Sequence, residues 1–351
     1  MIFINIKRVV IAFLLITISL YPKSLIDKYP SYAYVLSEFN IETGYIFDYD
    51  FEKFVQKYEK RLTRFYEASL KRGDFIIPTI KRGLIDNDMS DLLVYLSTIE
   101  SGLNPKIKSN KKAVGLWQFI PSTAKIYKLE VSNCFDDRCD PYIATQAAIK
   151  HLKHLHHTFG KWYLAMIAYN CGEGRLSRAI KRAKTTDLHT LIDDSAKYLP
   201  KESRDYIRKI ILLAMIGESK NIKFESSRPD IIQVEVAGGE SIAHIAKLIG
   251  IKPSQLLKLN AKYKNGKLPT KNYSYTLLIP ESKMVAFYKN YQLPPKTTQK
   301  SLLVSYHVKL GDTLESIATK FKTTVEDIKI TNHLEDDFLV LGQLLVIPVD
   351  G

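Results

Sequence analysis

Glu100 is the residue of this chain whose surroundings best suit acid–base chemistry. It shares a helical face with Leu93 and Leu96, in a predicted helix that begins after Ser90 and stops at Gly102. Burial of a carboxyl on an apolar face favours its protonated form. A carboxylic acid that stays protonated near neutral pH can protonate a glycosidic oxygen. The alternative is a helix-terminal glutamate that faces solvent.

Two other groups of reactive side chains invite a chemical interpretation. Four histidines crowd one predicted helix: His151, His154, His156 and His157. Their spacing lacks the histidine pair with a glutamate that marks a zinc protease helix, so a solvated polar face is favoured and no metal or other cofactor is predicted. Among the three cysteines, Cys134 and Cys139 could close a small disulfide loop if the protein is exported, and Cys171 would remain a lone thiol.

Composition limits the classes of protein to consider. With 351 residues, 46% hydrophobic and 25% charged, the chain is long enough for two or three globular domains. The net charge of +14 favours anionic partners such as nucleic acid, a membrane surface or an acidic polymer. Nucleic acid ranks low because the chain shows no base-reading motif.

The first residues suggest export. Lys7 and Arg8 precede an apolar stretch from Val9 to Leu20, which is shorter than the ~20 residues that span a bilayer. Residues 1–24 are therefore predicted to be a signal peptide or an N-terminal anchor, which places the protein in the periplasm or cell envelope. Membrane association through this segment stays open, and a monomer is expected.

The rest of the chain divides into helical and mixed parts. Residues 25–85 are predicted to be a helical leader that packs on the next domain, and residues 86–225 to be an all-helical domain. Asp140-Pro141 and Gly160 mark the start and end of one of its helices. Residues 234–281 and 303–349 are two small βααβ modules, separated by a linker over 282–302. The fold class is therefore α+β multidomain.

The two modules are copies of one another. Val236, Ile245 and Asn260 recur as Val308, Ile317 and Asn332 at an offset of 72 residues. The closing Ile-Pro pair recurs at an offset of 68, so the last loop of the second copy is four residues shorter. Such a register over more than twenty positions indicates a duplication.

Three sequence blocks of the helical domain occur in the order typical of one enzyme family. They are IESG at 99–102, GLWQFIPST at 115–123 and AYNCGEG at 168–174. With them the domain resembles the lytic transglycosylases of the lysozyme-like superfamily. The two copies resemble LysM peptidoglycan-binding modules in their Gly-Asp/Glu-Ser/Thr opening and Ile-Pro ending. Together the resemblance covers about two thirds of the chain.

The resemblance implies roles for individual residues. Glu100 matches the sole catalytic acid and base of the family. The residues that match substrate-contacting positions are Ser101, Gln118, Tyr169, Asn170 and Tyr206. The residues that match the glycan-binding loops of LysM modules are Gly239, Glu240, Ser241, Gly311, Asp312 and Thr313. Cys171 and Arg208 depart from the family pattern, in which a small residue and a proline are common.

The family reaction is non-hydrolytic cleavage of the β-1,4 bond between N-acetylmuramic acid and N-acetylglucosamine, with formation of a 1,6-anhydro ring. It serves the remodelling of cell-wall peptidoglycan and needs no cofactor. Three alternatives stay open at this point. They are a hydrolytic muramidase on the same scaffold, with Asp136, Asp137 or Asp140 as a second carboxyl, a wall-binding protein without catalysis, and, more distantly, a nucleic-acid-binding protein.

Overall fold

The computed structural model describes residues 24–219, 231–294 and 302–349. The predicted signal peptide or anchor lies outside these residues, apart from Ser24. The chain divides into two compact units, of which one ends at Tyr291 and the other begins at Gln292. The first unit holds the helical domain and the first module, and the second unit holds the second module.

Helices account for the regular structure of residues 24–219. They are α1 (Leu25–Lys28), α2 (Tyr32–Glu38), α3 (Tyr49–Gly73), α4 (Ile77–Ile85), α5 (Val94–Ser101), α6 (Pro121–Ile126), α7 (Pro141–Phe159), α8 (Trp162–Cys171), α9 (Glu173–Ala183), α10 (Leu188–Ile192) and α11 (Lys201–Ser219). Short 3-10 turns join several of them, at Thr43–Phe47, Asp74–Ile76, Asp91–Leu93 and Asp137–Cys139.

Helix α11 lies at the centre of this domain. Its residues from Tyr206 to Gly217 are buried apart from Lys209, as expected of a helix that is apolar on nearly all sides. It packs against α3, α5 and α8. The apolar side of α3, which includes Phe51 and Leu62, joins the same core. Residues 25–85 thereby share one hydrophobic core with the rest of the domain.

Local signals set where the helices near the cleft begin and end. The Asp140 side chain accepts hydrogen bonds from the amides of Tyr142 and Ile143 at 2.9 and 3.0 Å, so it is the N-cap of α7. Gly160 ends α7 in the left-handed conformation. Gly102 ends α5 in the same way, with φ of 56°. Each of these boundaries agrees with the prediction from sequence.

The two modules share one βααβ fold, as predicted. In the first, β1 (Ile231–Ala237) pairs antiparallel with β2 (Ser274–Pro280), and α12 (Ile242–Leu248) and α13 (Pro253–Leu259) lie between them in sequence. In the second, β3 (Leu302–His307) pairs antiparallel with β4 (Leu344–Val349), with α15 (Leu314–Phe321) and α16 (Val325–Asn332) between them.

One asparagine holds the same place in each module. Asn260 exchanges hydrogen bonds with the backbone of Leu278, at 2.7 Å to the carbonyl and 2.8 Å from the amide. Asn332 does the same with Val346, at 2.7 Å in both directions. The asparagine amide therefore ties the second helix of each copy to its closing strand, which explains why this residue recurs at an offset of 72.

The first half of the predicted linker is helical. Helix α14 (Met284–Asn290) follows β2 after the 3-10 turn Glu281–Lys283 and buries Phe287. The Asn290 side chain donates to the carbonyl of Leu248 at 2.9 Å, and the Tyr291 hydroxyl accepts from the amide of Ala237 at 2.8 Å. The spacer interpretation missed this helix, because its aromatic residues pack on the first module. None of the helices in 24–219, 231–294 and 302–349 is long and apolar enough to cross a bilayer.

Candidate active site

Glu100 lines a cleft of about 860 Å³ in the helical domain. The last turn of α5 carries it into this cleft, and Gly102 then turns the chain away. The walls come from the loop before α6, from α7 and from the junction of α8 and α9. Cleft-lining residues include Ser109, Gln118, Thr123, Tyr127, His151, Tyr169, Asn170, Glu173 and Glu202. A concave site of this size with several polar groups is the usual form of a ligand-binding site.

Tyr206 is the hydrogen-bond partner of Glu100. Its hydroxyl donates to Oε1 of Glu100 at 2.6 Å, from the buried face of α11. Burial raises the pKa of Glu100 to about 7, the Tyr206 hydrogen bond lowers it, and the charge of Glu202 raises it. A large fraction of Glu100 is therefore protonated at neutral pH, which is the state a general acid requires.

Tyr169 and Asn170 line the cleft from the end of α8. The Tyr169 hydroxyl donates to the carbonyl of Trp117 at 2.6 Å, which ties α8 to the loop before α6. Asn170 Oδ1 accepts from the hydroxyl of Ser203 at 2.8 Å, which ties α8 to α11. Both side chains are therefore held in place by neighbours, and both line the cleft.

Gln118 lines the cleft from a strained loop. It adopts a positive φ of 48°, and its amide nitrogen donates to the carbonyls of Gly115 and Ile107 at 2.9 and 3.2 Å. These bonds orient the side-chain oxygen independently of any ligand. Non-glycine residues with positive φ are often found at functional sites.

Ser101 lies outside the cleft, although it follows Glu100 in sequence. It is buried, its hydroxyl donates to the carbonyl of Ser97 at 2.9 Å, and it accepts from the amide of Leu103 at 3.1 Å. The structure therefore places the Ser101 hydroxyl within the end of α5, in a different direction from Glu100, because neighbours on a helix point about 100° apart. The substrate contact that the family resemblance implies for Ser101 stays a prediction.

Several cleft residues were not predicted from sequence, among them three that carry titratable groups. Glu173 and Glu202 place two further carboxyls at the cleft, and His151 lines it from α7. Burial lowers the pKa of His151 to about 4, so its ring is neutral, and Nδ1 lies 3.0 Å from the hydroxyl of Tyr127. Glu173 lies within the third sequence block, which could have drawn attention to it. Glu202 and His151 carried no such signal.

The aspartates considered as second carboxyls lie outside the cleft lining. Asp136 forms a buried bidentate ion pair with Arg138, at 2.9 and 2.8 Å. Asp140 caps α7 and pairs with Lys262 of the first module at 2.9 Å. Burial raises the pKa of Asp137, which accepts from the amide of Glu130 at 2.9 Å. Each thus stabilises the loop between α6 and α7.

The three cysteines are free thiols in this structure, so the suggested Cys134–Cys139 disulfide is not formed. Cys134 is exposed, whereas Cys139 is buried in a small apolar cluster with Val114 and Ala261. The two side chains therefore lie in different environments despite their short separation in sequence. Burial raises the pKa of Cys139 to about 12, which leaves it an unreactive thiol.

Arg208 replaces the common proline without loss of order around Tyr206. It is buried on α11 and donates to Asp194 at 3.0 Å and to the carbonyl of Ile192 at 2.8 Å. Arg204, one turn earlier, also pairs with Asp194, at 2.9 Å. Tyr206 is thus flanked by two arginines that fix this side of α11 to the loop after α10.

The described residues contain no group of three or more His, Cys, Asp or Glu side chains arranged to hold a metal ion. His154 instead lies 3.2 Å from Glu173, and His156 stacks on Trp162 with ring centroids 4.0 Å apart. The histidines of α7 therefore have separate surroundings.

Comparison with known families fits this geometry. Residues 78–192 match the transglycosylase SLT domain, residues 306–348 match the LysM domain, and residues 230–296 match the LysM-like domain of lytic transglycosylase MltD. The chain therefore carries a transglycosylase SLT domain and two LysM-type domains, and these matches support a lytic transglycosylase enzyme. The candidate acid Glu100 lies within the matched SLT segment.

Individual relatives extend the similarity. Membrane-bound lytic murein transglycosylase D of Escherichia coli K12 is 29% identical over 311 residues, which cover 83% of the transglycosylase and 67% of the relative. The cortical fragment-lytic enzyme of Bacillus subtilis is 51% identical over 47 residues, or 13% of this chain and 11% of that protein.

Two solved structures are similar over a smaller part of the transglycosylase. The 70 kDa soluble lytic transglycosylase of Escherichia coli is 21% identical with a TM-score of 0.35, and the match covers 42% of this chain and 25% of that chain. The lytic transglycosylase Slt of Pseudomonas aeruginosa is 20% identical with a TM-score of 0.35, over 41% of this chain and 24% of that chain.

Proposed function

We propose that the enzyme cleaves the β-1,4 bond between N-acetylmuramic acid and N-acetylglucosamine in peptidoglycan, and that it leaves 1,6-anhydro ends. The observation that carries this proposal is the environment of Glu100, a cleft carboxyl with its pKa raised to about 7 and a single tyrosine donor. The murein-directed name of the Escherichia coli relative supports the choice of substrate.

The proposed reaction uses Glu100 twice. As an acid, it gives its proton to the glycosidic oxygen, and the bond to the anomeric carbon of the muramic acid breaks. The N-acetyl group of the same sugar stabilises the positive charge that develops. Glu100, now a carboxylate, takes the proton from the C6 hydroxyl, whose oxygen bonds to the anomeric carbon and closes the ring. A nucleophile within the substrate gains from a high effective concentration.

The arrangement around Glu100 suits both steps. The Tyr206 hydroxyl stabilises the carboxylate that forms after the first proton transfer, because it donates to Oε1. Tyr169 and Asn170 are held beside the carboxyl by bonds to Trp117 and Ser203, so they present fixed surfaces to a sugar. Gln118 offers its side-chain oxygen from the opposite loop.

Hydrolysis is the second candidate, because Glu173 and Glu202 also line the cleft. The carboxylate of Glu173 or Glu202 could activate a water molecule, which would then attack in place of the C6 hydroxyl, as in enzymes that use two carboxyls. Mass spectrometry of soluble products from purified sacculi separates the two reactions. We expect muropeptides lighter by one water than their reducing-end counterparts. Products at the mass of reducing muramic acid would establish hydrolysis instead.

The pH dependence of lysis should report the protonation of Glu100. Its pKa is raised, so the acid form predominates below about 7 and the rate should fall as the pH rises through that value. Tyr206→Phe removes a hydrogen bond that lowers the pKa, so the alkaline limb should move to higher pH. Glu202→Gln removes a charge that raises the pKa, so the limb should move to lower pH.

Initial rates of sacculus clearing between pH 5 and pH 9 measure these limbs. The two substitutions act on one carboxyl from opposite directions, so each serves as the control for the other. Shifts in the same direction, or a limb that neither substitution moves, would show that the titrating group is not Glu100.

The same comparisons support a proposal for the substrate and for the place of the enzyme in the cell. An SLT domain together with LysM domains implies binding to peptidoglycan. The relative described as membrane-bound supports a location in the cell envelope for this enzyme also. We propose that the enzyme acts there in wall remodelling, as a monomer and without a cofactor or nucleic acid, and that the segment 1–24 directs export.

A further inference from the structure

Because the two LysM-type modules are copies of one another, both are expected to carry the same sugar-binding groove. The structure shows that the two modules differ there. In the first module, the loop 264–273 lies across the opening segment 238–242. The amide of Gly239 donates to the carbonyls of Leu268 and Pro269 at 3.2 and 3.0 Å, and the amide of Ile242 donates to Gly266 at 3.1 Å. The amide of Leu268 returns a bond to the carbonyl of Glu240 at 2.9 Å.

This contact is close enough to exclude a ligand between the two segments. A β-carbon added at Gly238 would lie 2.3 Å from the carbonyl oxygen of Asn272 and 2.9 Å from that of Pro269. Ser241 also forms a β-bridge with Lys267. The backbone groups that would meet a sugar are therefore already paired within the module.

The second module is open at the corresponding place. Its last loop is four residues shorter, and within the described residues no hydrogen bond links segment 310–314 to segment 333–341. A β-carbon added at Gly311 would have no atom within 4 Å apart from its chain neighbours. The loop that closes the groove of the first copy is thus the loop that is four residues longer there than in the second copy.

Exposed apolar side chains border the open groove. Leu310 is 92% exposed and Phe338 is 74% exposed, and Val340 and Leu341 are exposed beside them. Apolar and aromatic side chains of this kind pack against the apolar faces of sugar rings. In the first module, the position of Leu310 is taken by Gly238, which lies against its own loop.

The first module is also fixed to the catalytic domain. Lys262 Nζ lies 2.9 Å from Asp140 Oδ2, and both side chains are buried. The backbones of the two parts pair as well, through a bridge between Phe135 and Tyr263 and a bond of 3.0 Å from the amide of Asp136 to the carbonyl of Lys262. A buried, paired lysine and a strand-like bridge are features of a permanent interface.

Two sets of contacts connect this interface to the cleft. Segment 134–140, which the module contacts, carries Arg138. The Arg138 guanidinium donates to the carbonyls of Lys112 and Phe119 at 3.1 and 3.3 Å, and Gly115 packs against the Arg138 carbonyl. The loop 109–119 that is held in this way lines the cleft and includes Gln118.

From these contacts we propose that the two repeats have divided their tasks. The first module is a fixed support of the catalytic cleft, with Lys262 as a positioning residue, and its sugar groove is closed. The second module is the one that grips the glycan. This replaces the prediction that Gly239, Glu240 and Ser241 bind sugar. The binding part rests on the proposed action on cell-wall glycan, whereas the docking part does not.

The binding part is tested by sedimentation of the full-length chain with purified sacculi, with Glu100→Gln in every sample so that strands stay intact. Leu310→Glu in the second module should weaken binding about tenfold, since it puts a charge on the sugar-facing surface. Thr270→Glu is the matched control, because Thr270 is exposed on the loop above Gly239. It should leave binding within about twofold.

Equal weakening by the two substitutions, or weakening by Thr270→Glu alone, would overturn the division of tasks. Full binding by Leu310→Glu together with Phe338→Ala would overturn the assignment to the second module. If the chain with both modules unaltered fails to sediment, the proposed action on the wall itself fails, which is a separate outcome.

The docking part is tested by hydrogen exchange. Lys262→Met should speed amide exchange in segments 109–119 and 132–140 by about tenfold or more and leave α11 unchanged, because it leaves Asp140 buried without a cation. Lys262→Arg should restore protection in part. Lys271→Met, at an exposed position of the same module, is the control. Unchanged exchange in both segments would overturn the positioning role.

A kinetic readout separates positioning from general stability. Lys262→Met should raise KM for soluble glycan strands more than it lowers kcat, because loop 109–119 lines the cleft but does not carry Glu100. A uniform loss of active enzyme would lower kcat and leave KM unchanged, and that result would count against positioning.

Discussion

Replacing Glu100 by Gln should reduce the rate of sacculus lysis by about 1,000-fold, because the amide can neither donate the proton nor take one back. Shape and hydrogen bonding in the cleft change little, since the amide oxygen can still accept from Tyr206. Binding to sacculi should therefore be unchanged. Turbidity clearing measures lysis, and sedimentation measures binding.

Two controls make the result specific. Glu173→Gln alters a carboxyl of the same cleft and should keep most of the activity, unless the enzyme works with two carboxyls. The second control is the stability of the Glu100→Gln variant at different pH values. Folding raises the pKa of Glu100, so its ionised form destabilises the protein as the pH rises from the unfolded value through about 7. At pH 8 the variant should therefore be at least as stable as the parent.

Lysis at the parent rate by Glu100→Gln would contradict the proposed mechanism, and loss of lysis in Glu173→Gln as well would favour hydrolysis. A protein that neither clears nor binds sacculi, with Glu100 intact, would point to a different substrate. The three results cannot be confused, because each gives its own pattern of binding and clearing.

Gly115→Ala should unfold the protein or destabilise it by roughly 3–5 kcal/mol, the largest effect expected from one methyl group. The added β-carbon would lie 1.7 Å from the carbonyl oxygen of Arg138, and φ at Gly115 is +86°. The clash is with backbone, so no side-chain rotation relieves it. Urea unfolding of the full chain, followed by far-UV circular dichroism, measures the loss.

Gly160→Ala is the matched control for this change. Its φ is +75°, but no atom lies within 4 Å of the position the β-carbon would take. The cost there should be only the conformational penalty of about 1 kcal/mol. Similar destabilisation by the two substitutions would show that the approach of Gly115 to Arg138 is looser than the structure indicates.

Much of the helical domain could be predicted from local signals. Asp140 and Gly160 mark the ends of α7 by their chemistry as caps, and both act there in the structure. The apolar residues of α3 recur at helical spacing because one face of that helix is buried. Those of α11 cover nearly all of its sides because most of that helix is buried. Glu100 was identified by its place on an apolar face together with three sequence blocks. Such signals act within a few residues and can be read from sequence.

Contacts between distant residues could not be predicted in this way. Three such contacts depend on how distant elements meet in space. They are the Lys262–Asp140 pair, the Arg138 bonds to loop 109–119, and the closure of the first module by its own loop. Glu202 reaches the cleft because α11 begins beside it, which no spacing indicates. Ser101 follows Glu100 in sequence but is buried at the end of α5, because helix geometry turns neighbouring side chains in different directions.

The buried pair between Asp140 and Lys262 also has a consequence for the order in which the chain folds during synthesis. Lys262 lies 122 residues after Asp140. At about 5–20 residues per second, roughly 6 to 24 s pass between the appearance of the carboxylate and that of its cation. Throughout this interval the cap of α7 has no partner for its second oxygen. The segment around Arg138 should therefore settle last, after most of the helical domain has left the ribosome.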